Sequence, residues 1–90
     1  METESAARVL GECSTREEAL RRLKEFAKDR RKDLDAAPGE KDVYFLRGYS
    51  QRGGHDQRFG YAVKTAQRVQ VEEGEGNCRI LIWPEVDEQT

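Results

Sequence analysis

Asp42-Val43-Tyr44-Phe45-Leu46-Arg47-Gly48-Tyr49 and Phe59-Gly60-Tyr61-Ala62-Val63-Lys64-Thr65 decide the fold of this chain. Both runs are rich in aromatic and β-branched residues, which suit a pleated, half-buried surface. In the first, Val43, Phe45 and Tyr49 alternate with Tyr44 and Leu46. Apolar character on both faces predicts a central strand, covered by a helix on one side and by something else on the other. In the second, Phe59, Tyr61, Val63, Val69 and Val71 take odd positions, while Lys64, Arg68, Gln70 and Glu72 take even ones. A period of two predicts a strand with one face inward and one face in water. A bend is expected at Ala66-Gln67, because the run exceeds the common strand length of about five or six residues.

Between the two runs lies Ser50-Gln51-Arg52-Gly53-Gly54-His55-Asp56-Gln57-Arg58, which holds the only histidine and no apolar side chain. Hairpin loops usually need about two to five residues, so this longer polar connection predicts a protruding arm that touches a partner.

Upstream, Ser14 and Glu17 fit the S-x-x-E capping box of a helix start. Ala19, Leu20, Leu23, Phe26, Ala27 and Leu34 recur at three- and four-residue steps, predicting a helix with one buried stripe. Pro38 and Gly39 place its end near Leu34 to Ala36. Ala7 to Cys13 reads as a short strand, with a helix from Ser5 to Leu10 as the alternative. Downstream, Glu73-Gly74-Glu75-Gly76-Asn77 supplies a turn, Cys78 to Trp83 a last strand, and Pro84 its end. Val86 to Thr90 reads as an acidic tail without order of its own.

The expected fold is α+β: a two-layer sandwich in β-α-β-β-β order, one long helix on a mostly antiparallel sheet. Ninety residues suit a single domain, 1–90, with a core of about 7–84 and an acidic tail at 85–90. The sheet face away from the helix carries part of the set Tyr44, Leu46, Leu81 and Trp83, so a homodimer through that face is one expectation. With successive hairpins, Cys13 and Cys78 fall at opposite ends of strands that run the same way. About 17 to 20 Å of extended chain then separates them, too far for a disulfide, and reduced thiols are expected.

The net charge of −2 conceals a polarised chain: residues 16–71 carry +5 and the two ends together −7. No apolar run approaches the roughly 20 residues of a membrane span. The acidic N-terminus lacks the pattern of a signal peptide, so a cytoplasmic protein that does not touch membrane is expected. Two cysteines and one histidine form neither a zinc pattern nor a catalytic triad. No enzyme activity, cofactor or metal is expected.

What remains is binding. Arg47, Gln51, Arg52, His55, Arg58 and Tyr61 are the expected contacts, because arginine and tyrosine combine broad surfaces with directed hydrogen bonds. The expected partner is another protein, engaged by a small regulator, inhibitor or adaptor. Two alternatives stand beside it: a nucleic-acid module using the basic arm, its phosphate contacts opposed by the acidic tail, and a homo-oligomeric structural module. The helix bases Arg21, Arg22, Lys24, Lys28, Arg30, Arg31 and Lys32 are interleaved with acids and read as a solvated face.

Overall fold

A thirteen-residue strand, β4 (Tyr61–Glu73), runs through the middle of the molecule, and the rest of the sheet is laid against it. The computed structural model describes residues 7–52 and 60–88, with Arg52 described by its backbone alone. Before β4 come β1 (Arg8–Cys13), α1 (Arg16–Asp29), β2 (Asp33–Ala36) and β3 (Val43–Arg52); after it come β5 (Cys78–Ile82) and β6 (Val86–Asp87). The strands pair antiparallel in the order β1-β5-β4-β3-β2, and β6 pairs with β4. One helix on an antiparallel sheet is the expected α+β class, with two strands more than the sequence suggested.

The helix starts one residue later than expected. Thr15 is the N-cap, its side chain accepting from the Glu18 amide at 3.1 Å, while Glu18 accepts from the Ser14 amide at 3.4 Å. Thr15-x-x-Glu18 fits the same capping pattern as Ser14-x-x-Glu17, and the later frame is used. At the other end the helix stops at Asp29, not near Leu34 to Ala36. The Lys32 amide donates to Ala27 O at 2.9 Å and the Arg31 amide to Lys28 O at 3.1 Å, with Arg31 left-handed at φ 56°. These bonds form a Schellman stop, with arginine where glycine is usual. No apolar residue at positions 30 or 31 offered burial to a further turn. Leu34 therefore reaches the core from a strand, opposite Leu46.

Ala19, Leu23 and Ala27 pack from α1 onto Cys13, Leu46, Val69, Val71, Cys78, Ile80 and Ile82. Arg16, in the first helical turn, donates to Asp42, whose own φ is 63° and whose carbonyl accepts from the Val71 amide at 2.9 Å. This tie fixes where β3 begins, and the carboxylate raises the Arg16 guanidinium above its ordinary pKa. The Arg22–Glu18 pair at 3.6 Å has the expected four-residue spacing. Arg30 lies over the Phe26 ring, 3.7 Å from its centroid, so this helix base covers its own chain.

Strand β2 changes the sense of everything after it. An extra antiparallel hairpin between α1 and β3 reverses β3, β4 and β5 relative to the expected order, so β1 and β5 are antiparallel neighbours. Cys13 and Cys78 are then register partners, not residues at opposite sheet ends.

Two more expectations are corrected near the C-terminus. β4 runs unbroken through Ala66-Gln67, because β3 pairs with it on one side all the way. Pro84 does not end pairing. The Trp83 amide donates to Arg68 O at 3.0 Å and, beyond the proline, the Glu88 amide donates to Lys64 O at 2.8 Å. The register shifts by one residue across Pro84, as in a β-bulge. Val86 to Glu88, expected to lack order, thus extend the sheet.

Of the set expected on the second sheet face, Tyr44 and Leu46 face the helix, and Leu81 and Trp83 face away. Phe45 joins the latter pair. Arginines lie over this face: Arg68 is 5.1 Å from the Trp83 ring centroid and Arg47 is 5.2 Å from that of Phe45. Among the described residues no helix is long and apolar enough to cross a membrane.

Candidate binding surface

The β3–β4 ladder outlasts the sheet around it. Its register runs from Val43↔Gln70 to Arg52↔Tyr61, whereas β2 stops opposite Arg47 and the described part of the C-terminal segment reaches Lys64. Among the described residues, Ser50↔Val63, Gln51↔Ala62 and Arg52↔Tyr61 therefore have no third strand. At about 3.4 Å per residue this is an arm some ~10 Å long.

Strand alternation assigns its faces. On the helix side burial reaches Val63 at 3% exposure and ends at Tyr61, which is 58% exposed. On the opposite side Tyr49 is 66% exposed, and Gln51, Ala62 and Lys64 are exposed around it. The open face of the arm is thus the one turned from the helix, carrying a tyrosine, an amide and an ammonium group.

Two polar clusters lock the root. On the helix side, fully buried Thr65 donates its hydroxyl to Glu85 Oε2 at 2.7 Å, and Lys32 Nζ donates to the same oxygen at 2.5 Å. The Lys32 stem crosses the sheet over Gly48, where a Cβ would sit 2.8 Å from Lys32 Cγ. A glycine is required at this crossing because backbone and lysine stem are in contact. Lys32, counted from sequence among solvated helix bases, therefore holds the root.

On the other side, Arg47 Nη1 donates to Asp35 Oδ2 at 3.1 Å and Arg47 Nε to Glu88 Oε2 at 3.2 Å. Glu88 and then Asp35 raise the Arg47 pKa further above its ordinary value. Next to this trio is a shallow open hollow lined by Asp33, Asp35, Arg47, Tyr49, Lys64 and Glu88. With three acids against two bases, its charge favours a cationic or neutral contact over a polyanion.

The six expected contact residues divide accordingly. Arg47 is at the root, engaged with its own chain, and Gln51 shares its face on the arm. Arg52 and Tyr61 are register partners, and Tyr61 is on the helix-side face. His55 and Arg58 lie outside the described residues. Arg47 is paired with Asp35 and Glu88, and Glu72 with Arg79. Sequence reasoning missed Lys64, which it assigned only to a solvent face, and it left Tyr49 off the contact set. The signal for Tyr49 was an aromatic residue directly before the polar run that starts at Ser50.

Among the described residues, no three His, Cys, Asp or Glu side chains are grouped to hold a metal ion. No protein-family model matches the chain, and comparison with curated proteins and with solved structures gives no significant match.

Proposed function

We propose that this chain is a small binding protein without catalytic function, which recognises another protein through the exposed side chains of the β3–β4 arm. The observation that carries the reading is the overrun of the ladder: Tyr61 is held in water on its two-stranded end and Tyr49 at the rung just before that end. Tyrosines ordered before contact lose little conformational freedom on binding, which is why they recur in binding hot spots. Among the described residues no third strand lies along the outer edges of the arm, which supplies a second mode, since such edges accept an extended peptide as an added strand. The acids beside Arg47 support a protein partner over nucleic acid.

The test is capture of a specific partner from native lysate by the immobilised protein. Arg52→Ala with His55→Ala and Arg58→Ala, and separately Tyr49→Ser with Tyr61→Ser, should each lose that partner while the thermal midpoint stays put. Capture retained by both variants removes the arm from recognition.

Nucleic-acid binding is the second reading, supported by Lys64 beside Tyr49; the Glu88 carboxylate at Arg47 would oppose a phosphate there. It requires RNA or DNA binding that weakens steeply with salt and strengthens in Glu88→Gln. No binding to either polymer at low salt eliminates it. Self-association through the second face has less support, because Arg47 and Arg68 lie over its aromatic rings.

A further inference from the structure

We propose that Cys13 and Cys78 are a reversible disulfide site, closed by a small-molecule disulfide and reopened by thiols. The two residues are direct register partners in the antiparallel β1–β5 pair, and both side chains face the helix in the same core cluster. Directly opposed residues in antiparallel strands have Cα atoms about 4.5 to 5.5 Å apart. A disulfide requires about 4.4 to 6.8 Å. Register alone therefore puts the two Cα atoms within the span that a disulfide bridges, so the bonded state needs no change of strand pairing.

The chemistry balances as two successive exchanges. One cysteine, as thiolate, attacks the oxidant disulfide and expels one thiolate, giving a mixed disulfide on the protein. The second cysteine then attacks that protein sulfur and expels the other half. The protein loses two protons and two electrons, and the oxidant is reduced to two thiols. Both thiols are buried, at 6% and 4% exposure, and burial raises the Cys78 pKa, with Glu73 and Cys13 acting in the same direction. In the closed sheet both thiols are shielded from solvent, so reaction waits on an opening. β1 supplies one: it is at the sheet edge, bonded to β5 alone among the described strands, and interrupted by a bulge between Val9 and Gly11. Once formed, the bond ties that edge strand down and closes a loop spanning α1, β2, β3 and β4. This site is independent of what the arm binds.

The decisive experiment refolds the reduced full chain in buffers of graded oxidised-to-reduced glutathione, traps free thiols by alkylation, and reads intact mass, peptide map and thermal midpoint. Oxidising mixtures should yield a monomer two hydrogens lighter than the reduced chain, unalkylated, with one peptide joining Cys13 to Cys78. Its midpoint should lie about 10 °C or more above that of the reduced form, and a reductant should reverse the change. Cys13→Ser and Cys78→Ser should each lose both the mass change and the midpoint shift. The proposal is overturned if both cysteines are fully alkylated after refolding in oxidised glutathione, or carry only separate glutathione adducts. Covalent dimers in place of the internal bond, or a bridged monomer that melts no higher, also overturn it.

Discussion

Leu46 and Tyr49 stand three residues apart on β3, yet one is fully buried and the other two-thirds exposed. At Leu46 the ladder is in mid-sheet, with β2 on one side, β4 on the other and the helix layer above. At Tyr49 the neighbouring strand has ended, and the side chain points away from the helix. The contrast shows that one hairpin carries both stability and exposure, and that the division is made by where its neighbours stop.

The largest effect expected from that division is at its closed end. Leu46→Ala should cost about 2 to 5 kcal/mol in denaturant unfolding, the range for a core leucine that leaves a cavity. A loss below about 1 kcal/mol would mean that the closed end is not closed. Next comes the boundary. Glu85→Ala leaves the Thr65 hydroxyl and Lys32 ammonium without their shared acceptor, so unfolding free energy should fall by about 1 to 3 kcal/mol. Gly48→Ala forces the Lys32 stem aside and should cost about 1 kcal/mol. Its effect should be non-additive with Lys32→Ala if the two act as one clasp.

At the open end, Tyr49→Ser with Tyr61→Ser should change stability by no more than about 0.5 kcal/mol. A larger loss would reassign the tyrosines to structure. The smallest effect is a titration confined to the core. The Cys78 thiol is held above its ordinary value of 9.0, so its contribution is complete below the unfolded-state pKa and is lost as pH rises through the folded one. The reduced protein's thermal midpoint should decline above pH about 9, and Cys78→Ala should decline less.

How much of this was legible in the sequence depends on the residue. Val63, Val69 and Val71 declared the inward face of β4 through their spacing alone, and Ala19, Leu23 and Ala27 did the same for the helix. The capping pattern was readable too, but two adjacent frames satisfied it. Strand β2 was not readable. Asp33-Leu34-Asp35-Ala36 has one strongly apolar residue, and its ion pair, Asp35 with Arg47, is made to a residue twelve positions on. That omission reversed the later strands and misplaced both cysteines, because strand direction is set by counting hairpins. β6 escaped for a similar reason: a proline marks the end of a central strand more often than a bulge within one, and Glu85, Val86 and Asp87 carry no strand pattern. Of the expected arm, Ser50 to Arg52 lie in β3 and the remainder lies outside the described residues; its polarity and length are local properties that were legible. Which of its side chains shared a face was not, because that depends on the register of β3 against β4.

Residue-resolved native-state hydrogen exchange tests the division between locked root and open arm most directly. Amides at Leu46, Val69 and Ile80 should exchange only with global unfolding, while those from Tyr49 to Gln51 and at Ala62 should exchange through local opening, at least about tenfold faster. Equal protection along the ladder out to Arg52 and Tyr61 would contradict the account, because the arm would then be part of the core.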